Sequence, residues 1–370
     1  MASVNRRRFL KAAGAAGVGT AAAGVTAPAI AQSSPELNWR MPVSWPKSLD
    51  TLYGSAEQFT KYVSEATDGK FKIRPVVGDE RIPPLEVTEA VSTGAVEACH
   101  TAPYYMWAKD PTFAFACAVP FGLNGRMQNS WWLEGGGEAL VNAFYAKYNI
   151  YGLLAGNTMA QMGGWFRKEI TTTDSLKGVK MRIGGLAGSV ISKLGVVPQQ
   201  LAGADIFPAL EKGTIDAAEW IGPHDDEKLG LHKVAKFYYY PGWWEGGAMV
   251  HVQINKEKWE SLPRGYQAIL AAAAAQGHNA MVARYDAQNP VALKKLLASG
   301  TQLRPFSETI LDACFKAANE VYVEISAKNE DFRKLWESVK AFRADQYLWL
   351  QLADTAYDNY MVIQQRKKTL

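Results

Sequence analysis

The strongest constraint on the fold is a nine-residue pattern that occurs twice. Residues 90–98 read Ala-Val-Ser-Thr-Gly-Ala-Val-Glu-Ala and residues 209–217 read Ala-Leu-Glu-Lys-Gly-Thr-Ile-Asp-Ala, sharing A-[VL]-x-x-G-x-[VI]-[ED]-A. In each copy a glycine closes a helix and a β-branched residue opens a strand. Two copies about 120 residues apart predict two lobes of related design rather than a short-period solenoid. Around the first copy, residues 71–77 alternate at period two, and short extended segments are expected at 37–42 and 96–100. Helices are expected at 50–67, where Leu52, Phe59, Tyr62 and Val63 form an apolar face, and at 84–93, opened by Pro84. That order predicts an α/β fold of βαβ units with mostly parallel sheets.

In such sheets ligands sit beyond the carboxyl ends of the strands. Thr101, Tyr104, Tyr105 and Trp107 follow the first copy, and Glu219, Trp220, His224 and Asp225 follow the second. Both clusters are therefore expected to face one crevice between the lobes. A chain of 370 residues with 48% hydrophobic content has enough apolar mass for two lobes. No run of eighteen strongly apolar residues occurs, so no permanent transmembrane helix is expected.

The N-terminus reads as an address. Arg6, Arg7, Arg8 and Lys11 precede an Ala- and Gly-rich stretch, and Ala29-Ile30-Ala31 is a small-x-small cleavage site. The paired arginines before Phe9-Leu10-Lys11 resemble a twin-arginine signal, so export to the periplasm is expected. These four basic residues account for the whole formal net charge of +4. The remainder is neutral, which argues against nucleic acid or an anionic membrane as partner. Cys99, Cys117 and Cys314 form no CxxC, and buried free thiols are expected, with one disulfide left open.

No G-x-S-x-G, H-E-x-x-H or P-loop occurs, and the five histidines lack metal-ligand spacing. No catalytic residue is assigned. Arg182 ends a short strand ahead of Gly184-Gly185, where a ligand can approach the backbone closely. Its guanidinium fork suits the carboxylate of a small organic acid, although a surface arginine reads the same way in isolation. Glu219 ends an apolar strand, Glu245 stands among Trp243, Trp244 and glycines, and Gln161 follows an apolar stretch. Two carboxylates, an amide oxygen and a backbone carbonyl suit a hard cation such as sodium or calcium. Separate pairing of each acid with Arg or Lys is the alternative that spacing leaves open.

The C-terminal third is expected to be helical over 263–299 and 307–328, followed by a third helix capped by Asn329 and running to about 364. The third carries Phe332, Leu335, Trp336, Tyr347, Leu348, Trp349, Leu352, Tyr357 and Tyr360 on more than one face. One side is therefore expected to meet a partner, as a dimer contact.

Taken together, Lys180-Met181-Arg182, the 209–217 stretch, Gly222-Pro223, the 161–166 run, Glu219-Trp220 and the 238–247 run resemble the DctP-like extracytoplasmic solute-binding proteins of TRAP transporters. They look most similar to the branch that binds 2-oxo acids and related monocarboxylates. The resemblance implies a two-lobed periplasmic clamshell with a hinge and long C-terminal helices, and no enzyme activity. It implies that Arg182 holds the ligand carboxylate, that a metal cation is held by Gln161, Glu219, the Trp220 carbonyl and Glu245, and that the last helix is exchanged in a homodimer. Tyr104, Tyr105, Asn157, Gln161, Trp220 and Glu245 are expected around the ligand, and TRAP membrane permease subunits as partners. The expected division is a twin-arginine-type signal at 1–31, a first lobe at 32–155 plus about 248–295, a second at 156–247 plus about 296–328, and the long C-terminal helix at 329–370. A receptor for a sugar acid of the same architecture and, less favoured, a periplasmic lyase using Glu219 and Glu245 remain as rival readings.

Overall fold

The computed structural model describes residues 35–78 and 81–369. The export signal expected over 1–31 lies outside the described residues. Eleven strands form two sheets among the described residues. They are β1 (Leu37–Val43), β2 (Phe71–Val77), β3 (Ala98–Thr101), β4 (Ile150–Asn157), β5 (Gly164–Phe166), β6 (Lys180–Arg182), β7 (Val197–Gln199), β8 (Ala217–Ala218), β9 (Phe237–Tyr240), β10 (Met249–Asn255) and β11 (Gln302–Pro305). The first sheet has the order β2-β1-β3-β10-β4 and the second β11-β9-β5-β8-β6-β7.

The two sheets are built alike. In each, two parallel neighbours precede a third parallel strand, β2-β1-β3 in one and β7-β6-β8 in the other, and the next strand is antiparallel. The repeated nonapeptide makes this likeness. Gly94 and Gly213 both adopt left-handed backbone, at φ +77° and +73°, and end a helix just before β3 and β8. The acid of each copy then accepts a backbone N–H from the neighbouring strand. Glu97 Oε2 takes that of Arg40 at 3.0 Å, and Asp216 Oδ2 that of Lys180 at 3.0 Å. Val96 and Ile215, the β-branched residues of the pattern, are buried in the core.

The Leu52–Ala66 helix covers the first sheet with Leu52, Phe59 and Val63 buried, while Tyr62 stays 40% exposed. The helix expected over 84–93 is shorter, Val87–Ser92, and Glu86 rather than Pro84 precedes it. The Arg264–Ala298 helix runs through Pro290 without ending. It packs on β4, on the Leu52–Ala66 helix and on the Pro223–Leu229 helix of the second lobe.

The single C-terminal helix expected from residue 329 to about 364 is two helices, Glu330–Leu350 and Asp354–Arg366. Asn329 caps the first as expected, its side chain accepting the Phe332 N–H at 2.9 Å. The break falls at Ala353 (φ −92°, ψ −94°), with no glycine or proline there. Asp354 restarts the helix as an acid in its first turn and pairs with Arg126 of the first lobe at 2.5 Å. Cys99, Cys117 and Cys314 are all buried and free. No described helix is long and apolar enough to cross a membrane.

Candidate ligand and cation site

The chain crosses between the sheets at 158–163 and again at 241–248, and these crossings meet the ends of β6 and β8. Met162 N–H donates to the Ile221 carbonyl at 2.9 Å and Gly242 N–H to the Gln161 carbonyl at 3.1 Å, so the segments carrying Gln161, Glu219-Trp220 and Glu245 are bonded together. The sequence puts polar residues here because the parallel strands stop here.

Arg182 is the last residue of β6, paired in register with Gln199 of β7 and Ala218 of β8, and fully buried. Its Nε donates to the Leu201 carbonyl at 3.2 Å and Nη1 to the Glu219 carbonyl at 2.8 Å. Nη1 also meets Glu219 Oε1. The guanidinium lies 4.9 Å from the centre of the Trp220 ring. Burial works against its charge, yet Glu219 and the two tyrosines beside it hold its pKa above the ordinary value. Nη2 has no hydrogen-bond partner.

Glu219 Oε1 also accepts the Gly184 N–H at 2.9 Å, but its Oε2 has no partner. Burial pushes its carboxyl up, and Arg182 opposes that. Glu245 is buried with Oε2 unpartnered, and its carboxyl is pushed well above the usual range by burial and then by the charge of Glu219. The Gln161 amide is oriented by Thr158: its Nε2 donates to Thr158 Oγ1 at 2.9 Å, while that hydroxyl donates to the Met159 carbonyl at 3.2 Å. Gln161 Oε1 is thereby left without a partner.

A cation is tested by these atoms. Gln161 Oε1, Glu219 Oε2 and Glu245 Oε2 are three buried oxygens with no donor. A buried acceptor without a donor is costly, and three on converging segments fit a hard cation. The Trp220 carbonyl follows directly on Glu219 as a fourth oxygen. Among the described residues no group of three or more His, Cys, Asp or Glu is placed to hold a metal ion, so this donor set draws on the amide as well as the two acids.

A small cavity of about 20 Å³ adjoins this set. Of the residues singled out in the sequence, Tyr104, Tyr105, Gln161 and Trp220 line it. Arg182 reaches it through Trp220, and Glu245 lies against Tyr104 and Gln161. Asn157 is placed differently. Its Nδ2 donates to Gln128 at 2.7 Å and its Oδ1 accepts the Met159 N–H at 2.8 Å, so its amide is engaged within the fold. Thr158, three residues before Gln161, also lines the cavity, and so do Trp45, Leu52 and Val250, which were not foreseen there. Trp45 follows the end of β1, and the strand-end rule that found Tyr104 was available for it.

The lobes touch across the cavity. The Tyr104 ring of the first lobe rests on Gly184 and Gly185 of the second, where a Cβ on Gly185 would meet the ring at 2.7 Å. Gln200 Nε2 donates to the Tyr105 carbonyl at 3.0 Å.

The sequence pattern of bacterial extracellular solute-binding protein family 7, the DctP group, matches residues 43–329. The chain belongs to that family. A family relative, a monocarboxylate 2-oxoacid-binding periplasmic protein of Nostoc sp., is 48% identical over 326 residues, 88% of this chain and 89% of its own. The TRAP transporter solute-binding protein of Bordetella bronchiseptica, a mixed-occupancy dimer with copurified calcium and picolinate, superposes with a TM-score of 0.89 at 48% identity, covering 90% of this chain and 99% of that one. A TRAP periplasmic solute-binding protein of Pseudoalteromonas atlantica with bound sodium and pyruvate gives 0.85 at 35% identity, covering 88% and 99%. The DctP-family chain is thus a solute-binding receptor with the two-lobed fold, not an enzyme, and solved members at this similarity hold calcium or sodium beside a carboxylate.

Proposed function

We propose that this chain is a periplasmic receptor that captures a small 2-oxo or 2-hydroxy monocarboxylate together with a sodium or calcium ion and hands it to TRAP membrane permease subunits. One observation carries the ligand chemistry. The unpartnered Nη2 of Arg182 lies on the same residue pair as the unpartnered Oε2 of Glu219, and Gln161 and Glu245 add two further free oxygens. A buried donor beside buried acceptors suits a ligand that brings an anionic oxygen for the arginine, with a cation for the acids. When bound, such a cation supplies positive charge that offsets the two carboxylates and accepts ligand oxygens directly.

This chain's own residues do the rest. Arg182 orients the ligand carboxylate through a fork already anchored on the Leu201 and Glu219 carbonyls, so little freedom is lost on binding. Tyr104, Tyr105 and Trp220 exclude water and let the anion be held in an apolar enclosure. Closure follows from the difference in affinity between the open and closed lobes. The signal at residues 1–31 directs export by the twin-arginine route. The exposed apolar faces of the last two helices and the turn joining them, with Tyr347, Trp349, Leu352 and Tyr357 each more than half exposed, cover a second copy in a homodimer.

Titration calorimetry with pyruvate tests the reading. Protein stripped by chelation and dialysed free of sodium is expected to bind weakly, and added calcium or sodium to restore binding. Equal affinity in the stripped protein, or binding of sugar acids but no 2-oxo acid, overturns it.

A further inference from the structure

Asp50 sits between β1 and the Leu52–Ala66 helix, on the first lobe. Its two carboxylate oxygens face different partners. Oδ2 accepts from Arg284 Nη2 at 2.5 Å, and Arg284 belongs to the long helix that packs on β4. Oδ1 meets Lys228 Nζ and lies 3.1 Å from His224 Nε2, both on the Pro223–Leu229 helix of the second lobe. His224 Nε2 also lies 3.1 Å from Lys228 Nζ. The cluster is placed at the cavity's edge: Leu52, two residues beyond Asp50, and Ile221, three before His224, both line it. The Asp50 side chain is 44% exposed and that of Lys228 26%, so the junction faces solvent outside a wall that is apolar within.

We infer that Asp50 is a clasp between the lobes, which holds the receptor shut over its ligand by joining Arg284 on one lobe to Lys228 and His224 on the other. Asp50 is not among the residues that line the cavity. It is a positioning residue that sets the rate of release. The inference rests on the reading of this chain as a receptor that closes on a solute. Burial pushes the Asp50 carboxyl up, but the hydrogen bonds from Lys228 and Arg284 bring it down to about 2, so the clasp is charged throughout the working pH range. The second lobe reaches this carboxylate through the Pro223–Leu229 helix, which also touches the long helix, His224 N–H donating to Asn289 Oδ1 at 3.0 Å and Tyr285 to Asp225 Oδ2 at 2.9 Å. Those bonds seat the helix, and the Asp50 contact closes it.

The test is a double-mutant cycle on the full mature chain with Asp50→Asn, Lys228→Met and the pair. Release of pyruvate from the calcium-loaded protein is followed by stopped-flow tryptophan fluorescence. Each single variant is expected to release roughly two- to tenfold faster, as for a partly exposed ion pair. The association rate stays within about twofold, and the double variant is no faster than the singles. Asp50→Glu, which keeps the charge, is expected to recover most of the slow release. Unchanged release in both single variants, or fully additive effects, overturns the clasp. A second readout does not depend on the ligand: spin labels at Lys61→Cys and Lys212→Cys, both exposed, report the lobe separation. Loss of the clasp is expected to move that distance toward the open form. If wild-type protein binds no 2-oxo acid, the proposed function fails while the distance still decides the clasp, and an unmoved distance overturns it.

Discussion

Arg182 and Glu219 are bonded twice, through the Glu219 carbonyl and through its Oε1, yet each keeps one polar atom, Nη2 and Oε2, buried without a partner. A pair built only to stabilise the core would satisfy itself, because an unpaired buried group costs about 1–3 kcal/mol. The incompleteness is what the proposed ligand and cation would satisfy. Arg182→Lys is therefore expected to weaken 2-oxo acid binding by roughly ten- to hundredfold, the cost of about 1.5–3 kcal/mol for a lost charge-assisted bond. An ammonium cannot hold the Leu201 and Glu219 carbonyls and also reach a ligand. Calorimetry giving the same dissociation constant for the lysine variant would remove Arg182 from the site.

Gly185 limits how closely the lobes approach. It lies at φ +58°, and an added Cβ would meet Cδ2 of the Tyr104 ring at 2.7 Å. Gly185→Ala carries a backbone cost of about 1–2 kcal/mol and also props the lobes apart. The expected result is a folded protein with ligand affinity at least roughly tenfold lower. Small-angle scattering should show an open form that added pyruvate and calcium do not close. Normal closure in the variant would mean that the Tyr104 contact is not limiting.

The contribution of Asp226 to stability should fall as pH rises across the mildly acidic range, opposite in sign to that of buried His100 and His251, whose imidazoles burial holds at about 3. Asp226 is fully buried and accepts from Trp165 Nε1 at 2.9 Å and the Tyr238 hydroxyl at 2.7 Å. Burial still pushes its carboxyl up to about 7, against the hydrogen bonds that pull it down. The folded state thus binds a proton more tightly than the unfolded chain, whose aspartates titrate near ~3.9. That stabilisation is complete below about pH 4 and is lost as pH climbs through about 7, at roughly 1.4 kcal/mol per unit of displacement. Asp225, pushed by burial to about 6, adds to the same slope. Urea unfolding of the ligand-free protein between pH 4 and 8 measures it. Asp226→Asn should be less stable than wild type at pH 4 by a margin that narrows as pH rises through about 7, and a margin constant with pH would refute the assignment.

The last two helices and the turn between them present Leu352 at 71%, Tyr357 at 64% and Tyr360 at 60% exposure. Leu352→Asp with Tyr357→Asp is expected to turn a dimer into a monomer in sedimentation velocity, with little change in the monomer's own stability, since neither side chain is buried in its own chain. A dimer that persists would place the interface elsewhere.

Much of this was legible along the chain. The repeated helix–Gly–strand pattern is a local signal, since capping and alternation act over fewer than ten residues. It marked one strand in each sheet, β3 and β8, and the strand ends after which Tyr104, Tyr105 and Glu219 stand, while Arg182 was legible separately, from the short strand ahead of Gly184-Gly185. The C-terminal break at Ala353 was not legible, because no glycine or proline marks it and Asp354 is drawn by Arg126, far away in sequence. Nor was it legible that the Asn157 amide would be engaged by Gln128 and the Met159 N–H, partners that the fold brings to it.

Sequence alone determined which groups are on offer: an arginine fork and an acid at the ends of β6 and β8, and an amide and a second acid on the crossings between the sheets, in a frame set by period, cap and turn. Tertiary structure alone decided which of those atoms stay unsatisfied, and that Asp50 joins Arg284, His224 and Lys228 across the lobes. Local spacing specifies backbone conformation through interactions a few residues long. A hydrogen bond between residues more than a hundred positions apart exists only once the lobes have packed.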